Sequence, residues 1–219
     1  MAEIVKPSST AQGSPSYLNL VNRAVNTLLN SEILIFPTET VYGIGADIRC
    51  LQAIHRLFEI KGRPMAQPLL LHCSTLNQAV PFVKEIPKTA WELAKRFLPG
   101  PLALIFYRSP LVPDIVTGSN ATVGIRVVKN PLFSEIADRL SAPIVGTSAN
   151  LHRQPPTNEF RLISPEIVSA VDLAIDWGRI GSGNPSTVLD LTTNPPKMNR
   201  EGDIKKAELE STLGLKLAY

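Results

Sequence analysis

Apolar residues recur along the chain with two different periods, and the switches between them outline the elements. Leu18, Val21, Val25, Leu28 and Leu29 share one side of a 3.6-residue wheel, so the segment after Ser16 is predicted to be a helix capped by that serine. The unbroken run Ile33–Phe36, stopped by Pro37, reads as a buried strand. Leu51, Ile54, Leu57 and Phe58 return to helical spacing over 50–60, and Gly62 and Pro64 end that helix. Pro68 opens a strand at Leu69–His72. Residues 88–98 are predicted helical, with Trp91, Ala94 and Leu98 on one face, up to the stop Pro99-Gly100-Pro101. Leu102–Tyr107 and Thr122–Val128 are strands. Asn130-Pro131 is an N-cap followed by proline at the first helical position, and its helix runs to near Leu140. Ala142–Gly146 is the next strand, Ser164-Pro165 starts a short helix, and Val171–Ile175 and Thr187–Leu191 are the last clear strands.

There is no internal repeat. Strands and helices mingle without strict alternation, which predicts an α/β fold, a twisted mixed open β-sheet with flanking helices. Residues 1–16, rich in Pro, Ser, Gly and Thr over their second half, are expected to form a flexible tail. The folded domain is expected over 17–204, with a helical tail at 205–219. Residues 151–163, LHRQPPTNEFRLI, are the longest irregular stretch, and loops of that length often act as lids.

Composition narrows the class. With 219 residues, 44% hydrophobic and 19% charged, the chain can bury a substantial core as a soluble globular protein. The net charge of +3 is not gathered into a block, so an anion site has to come from local placement. Cys50 and Cys73 read as ordinary thiols, and His55, His72 and His152 form no close metal pair. The N-terminus has no apolar signal core and no run reaches membrane-spanning length, so a cytoplasmic protein with no membrane contact is expected.

Candidate chemistry gathers where strands run out. PTETVYG (37–43), KGRP (61–64), GTSAN (146–150) and GNPSTV (183–188) each follow an apolar run at once. Any one of these could be a plain polar turn. Four in one domain point to a shared pocket at the sheet edge. Lys61 and Arg63 would point the same way if extended, as Pro64 favours, and two converging cations suit a phosphate chain. The alternative is a solvated helix end that complements the dipole. Ser148 and Asn150 repeat the i, i+2 arrangement with neutral groups, and the alternative there is an Asx or Ser turn. Neither GxxxxGK[ST] nor GxGxxG occurs, and no covalent nucleophile has an evident base. An enzyme built this way would act by positioning and charge stabilisation.

In order and spacing, FPTETVYGIGAD, KGRP with PLLLH, PGPLALIF, TVGIRV, PIVGTSAN and GNPSTVLDL followed by Arg200 resemble the YrdC/TsaC family, the threonylcarbamoyl-AMP synthases, over about 18–202. The resemblance implies a single YrdC-like domain with a concave, positively charged ligand cleft. It implies that L-threonine, bicarbonate or CO2, and ATP give threonylcarbamoyl-AMP and pyrophosphate, and that a separate transferase complex carries the threonylcarbamoyl group to tRNA. It implies a catalytic tetrad of Lys61, Arg63, Ser148 and Asn150. ATP would be contacted by these four with Gln67, Thr122, Pro156 and Arg200. Threonine would be lined by Thr38, His72, Arg126, Gly146 and Ser186. Magnesium would be held mainly by the ATP phosphates. Taken alone, His72 reads equally as a core-edge histidine and Arg126 as a solvated strand-end charge. Tyr42 is expected as pocket wall, and His55 and His152 as surface and loop.

Two departures from the family pattern matter. Gln67 stands where asparagine is frequent, and Arg200-Glu201-Gly202 stands where many synthases have Arg-Pro-Gly. The YciO-like branch also carries Arg-Glu-Gly but usually lacks the Ser-x-Asn pair found here. Two rival readings follow: a paralogue acting on another amine, and a double-stranded-RNA or tRNA-binding module. Ending at Tyr219, the chain is expected to lack the extra C-terminal domain of longer members.

Overall fold

The computed structural model describes residues 2–219. In chain order the elements are β1 (Glu3–Val5), α1 (Pro15–Leu29), β2 (Leu34–Phe36), β3 (Gly43–Asp47), α2 (Leu51–Lys61), β4 (Leu70–Cys73), α3 (Leu76–Ala79), α4 (Lys88–Phe97) and β5 (Leu102–Tyr107). There follow α5 (Asp114–Thr117), β6 (Thr122–Val127), α6 (Pro131–Leu140), β7 (Ile144–Ser148), α7 (Pro165–Ala170), β8 (Leu173–Ile175), β9 (Thr187–Asp190), β10 (Lys197–Arg200) and α8 (Lys206–Leu213). The strands form a single mixed sheet in the order β1-β8-β2-β3-β7-β4-β6-β5-β9-β10. Its centre is antiparallel where β3 meets β7 and β7 meets β4, and parallel where β4 meets β6.

Capping explains several boundaries. Asn130 Oδ1 accepts from Phe133 N at 3.1 Å with Pro131 in the first turn of α6, as the sequence predicts. The start of α1 lies earlier than expected. Ser14, not Ser16, caps it, because Pro15 is pre-set for the first helical position, and Ser16 Oγ instead accepts from Ser8 N. Within the stretch expected to be a flexible tail, Glu3–Val5 pairs in parallel with β8; the expectation for Met1 lies outside the described residues. In α4 the fully buried positions are Ala90 and Leu93, while Trp91, on the face expected to carry the apolar stripe, is exposed.

Two differences bear on the site. Strand β7 runs Ile144–Ser148, two residues later than predicted, because Pro143 has no N–H for the ladder and the strand begins after it. That shift carries Ser148 into the sheet opposite Gly43. Strand β3 was not predicted at all. Its GIGAD sequence looks like a turn, yet all five residues are buried. A Cβ on Gly45 would lie 2.6 Å from Val145 O, so the close approach of β3 to β7 requires glycine there.

Phe36 on β2 and Phe133 on α6 meet with ring centroids 5.1 Å apart, and both rings lie within van der Waals reach of the His72 imidazole. Phe133 is fully buried. Phe133→Ala should therefore cost about 3–5 kcal/mol, read by urea unfolding; a loss below about 1 kcal/mol would contradict this packing.

Candidate active site

A cavity of about 330 Å³ opens over the central strands β3, β7, β4 and β6 and not at the sheet edge that was expected, and all four polar clusters contribute to its wall. Thr38, Val41, Tyr42 and Gly43 come from the β2–β3 connection, Arg63 from the end of α2, and Gly146, Thr147, Ser148 and Asn150 from β7 and its exit. Pro185, Ser186 and Val188 come from β9 and the loop before it. His72 on β4, Arg126 on β6, Pro156 and Arg200 complete the assignments found on the wall. The volume suits a small-molecule site.

Lys61, Gln67 and Thr122 are not on that wall. Lys61 was expected in extended backbone, parallel to Arg63. It is instead the last residue of α2, and Gly62 closes the helix in the left-handed region at φ 59° with Arg63 N returning to Phe58 O at 3.0 Å. The Lys61 side chain is 2% exposed and runs behind the wall. Its Nζ donates to Ser148 O at 2.6 Å and to Asn150 O. A buried ammonium needs such acceptors. Burial and the neighbouring Arg63 charge nevertheless pull its pKa down to about 7. Gln67 acts through its backbone, where its carbonyl accepts from Arg63 Nε at 3.2 Å while Pro68 O accepts from Nη2 at 2.9 Å. Thr122 begins β6 opposite Tyr107.

Arg126 and His72 are register partners on β6 and β4, so their side chains emerge on the same face of the sheet. Arg126 is 5% exposed. Its Nη2 donates to Thr40 Oγ1 at 2.6 Å, Glu39 Oε1 at 3.0 Å and Thr38 Oγ1 at 3.4 Å. Its buried Nε and the buried Nδ1 of His72 have no hydrogen-bond partner among the described residues. Burial, then the Arg126 charge, pull the His72 pKa down to about 3, so the imidazole is neutral at physiological pH. Gly146 closes this floor: a Cβ there would lie 2.8 Å from Ile44 O and 3.3 Å from His72 Nδ1.

Arg200 Nε donates to Ser186 O at 2.9 Å and its Nη2 to Ser186 Oγ at 3.3 Å. Burial and the nearby Arg126 lower its pKa. Tyr42 Oη donates to Gly178 O at 2.8 Å and accepts from Trp177 N at 3.0 Å, which fits the wall role expected of it. Glu201, the departure in Arg-Glu-Gly, is exposed and accepts from Lys206 N at 3.1 Å at the start of α8, away from the cavity wall. His55 is exposed on α2, and His152 N ties its loop to Lys61 O at 2.8 Å.

The stretch 151–163 is partly tied down. Tyr42 N donates to Thr157 O, Ile180 N to Asn158 O, and Phe160 N to Gly178 O. Within 151–156, His152 N bonds to Lys61 O and Gln154 N to Leu151 O, and Gln154 and Pro156 stand on the wall. Sequence reasoning passed over Glu39 and Gln154. Glu39 reads as an ordinary turn charge, and only its pairing with Arg126 reveals otherwise. Among the described residues no three His, Cys, Asp or Glu side chains gather to hold a metal ion. No helix is long and apolar enough to cross a membrane.

The Lys61 environment is testable. Native Lys61 releases its proton near pH 7, while the unfolded chain keeps it to about 10.5. Between those values the unfolded state binds more protons, so this group's contribution to stability rises with pH. The stability of wild type relative to Lys61→Met should therefore improve from pH 7 to pH 10 by chemical denaturation; a difference flat across that window contradicts the assignment.

Comparison with known proteins places these residues in context. Residues 26–202 match the Sua5/YciO/YrdC family model, described as "Telomere recombination". A threonylcarbamoyl-AMP synthase of Pyrococcus abyssi is 36% identical over 191 residues, covering 87% of this chain and 56% of the relative. The structure of P. abyssi Sua5 complexed with L-threonine superposes with a TM-score of 0.92 at 32% identity, covering all of this chain and 63% of that one. Escherichia coli YciO gives 0.82 at 26% identity, covering 95% of this chain and all of that one. The chain spans about half the length of the first curated relatives it matches.

Proposed function

The chain belongs to the Sua5/YciO/YrdC family, and on that footing we propose that it is a nucleotidyltransferase that makes threonylcarbamoyl-AMP and pyrophosphate from L-threonine, ATP and bicarbonate or CO2. The observation that carries this reading is the presence of two chemistries on the wall of one cavity. Arg126 Nε and His72 Nδ1 are buried and without a hydrogen-bond partner among the described residues, and Ser186 lines the same wall. Arg63, Ser148 and Asn150 line it too. The first set suits an amino acid, with Arg126 on its carboxylate and His72 accepting from its amine or hydroxyl. Thr38 and the backbone of Gly146 complete that set. The second set suits a nucleotide, with Arg63 and Arg200 on phosphate oxygens, and with Gln67, Thr122 and Pro156 flanking it.

In the proposed reaction the threonine amine bonds to the carbon of CO2 or bicarbonate. A proton leaves with CO2, or a water with bicarbonate, and a carbamate results. A carbamate oxygen then bonds to the α-phosphorus of ATP as the bond to the pyrophosphate bridging oxygen breaks. No protein nucleophile is required. The protein holds three reactants in line and stabilises charge on the leaving phosphates. Lys61 serves from behind the wall, fixing Ser148 and Asn150 through their carbonyls. Among the described residues no three His, Cys, Asp or Glu side chains gather to hold a metal ion, and magnesium would be held mainly by the ATP phosphates.

The product is a hydrolysable mixed anhydride, which a transferase acting on tRNA would consume. The second reading, a YciO-like paralogue, draws support from the likeness to E. coli YciO and from Arg200-Glu201-Gly202, but Glu201 lies off the cavity wall.

Pyrophosphate release from ATP with bicarbonate and magnesium should depend on L-threonine over serine and alanine. Arg63→Ala should lower it by roughly 100-fold or more. Release that responds to another amine, or that survives Arg63→Ala unchanged, would contradict the proposal.

A further inference from the structure

The cation assigned to the amino acid's carboxylate has its direction set in large part by Glu39 and Thr40, which do not themselves line the cavity. Every side-chain hydrogen bond of Arg126 leaves from Nη2, and all the acceptors sit on the loop after β2. Thr38 Oγ1 is fixed in turn, since it accepts from Thr40 N at 3.1 Å and donates to Val41 O at 2.6 Å. Glu39 is bound at both oxygens: Oε1 accepts from Arg126, and Oε2 accepts from Lys129 N at 3.0 Å just past β6. Its side chain is 13% exposed, so this ion pair is shielded from solvent. A guanidinium is planar, and holding one terminal nitrogen by several acceptors fixes the plane of the whole group.

We propose that Glu39 and Thr40 form a clamp on Arg126 Nη2 that fixes the plane of the guanidinium and so aims its unpartnered Nε at the carboxylate of the amino-acid substrate. This rests on the functional reading above. Glu39 and Thr40 are absent from the cavity wall, so they are positioning residues and touch no substrate. The clamp also separates two cations. Arg200 lies near enough to Arg126 for its own proton affinity to fall, and Arg200 is anchored on Ser186. Glu39 balances the charge of Arg126, leaving the phosphates to Arg63 and Arg200. Amino-acid recognition and nucleotide recognition then become separable by mutation.

The test is calorimetric titration of L-threonine into the full chain saturated with α,β-methylene-ATP, beside titration of that analogue alone. Wild type, Glu39→Gln and Thr40→Val are compared, with melting temperatures. Glu39→Gln should weaken threonine by about tenfold or more while analogue affinity stays within about twofold. Thr40→Val, which removes an acceptor but keeps the side-chain shape, should shift threonine in the same direction and decides the matter if Glu39→Gln does not fold. Threonine affinity unchanged in the folded variants, or loss of both ligands together with stability, would overturn the clamp. Wild type that binds the analogue but not threonine would overturn the functional reading instead, and the clamp with it.

Discussion

The site is organised around a buried ammonium. Lys61 ends α2 inside the protein, and a charge there is tolerable only where carbonyls meet it. It finds them at Ser148 and Asn150, where β7 leaves the sheet. The return contact from His152 N to Lys61 O closes the same junction from the other side. This crosslink between a helix end and a strand end decides which atoms of GTSAN remain for a ligand. The carbonyls turn inward to the lysine, while the Ser148 and Asn150 residues form cavity wall. Arg63, two residues on, is released to the same wall because Gly62 reverses the chain.

With that junction fixed, the sheet distributes charge across the cleft. Arg126 and His72 come from adjacent parallel strands in register, and the low proton affinity of His72 follows from its burial beside a permanent cation. Arg126 is compensated by Glu39, whereas Arg63 and Arg200 are braced by carbonyls and a hydroxyl. A compensated cation suits a monocarboxylate, and cations without acid partners suit a polyanion. One pocket thus carries both the compensated cation and the cations without acid partners.

Much of this was legible in the sequence, and the exceptions have physical causes. The mixed sheet, the Asn130 cap and the convergence of four polar clusters follow from periodicity, capping chemistry and turn position. Strand β3 escaped because close packing against β7 demands glycine, and glycine reads as a turn. Strand β7 begins at Ile144 and not at Ala142 because Pro143 has no N–H to give the ladder. Glu3–Val5 is only three residues long, too short for alternation to show. Lys61 and Arg63 were expected side by side on extended backbone, but with Gly62 left-handed the Lys61 ammonium turns to the carbonyls of Ser148 and Asn150 and only Arg63 reaches the wall. Glu39 was invisible for a different reason. Nothing local distinguishes a turn glutamate from one that reaches a strand 87 residues away.

The account's central claim is that this cleft joins an amino acid to a nucleotide through a carbon supplied by bicarbonate or CO2. The most direct measurement is mass spectrometry of the product formed by the purified chain from ATP, L-threonine and ¹³C-bicarbonate. The account predicts an adenylate carrying threonine and a single labelled carbon, absent when threonine is omitted. An adenylate without the label, or none from folded protein that still binds ATP, would contradict it.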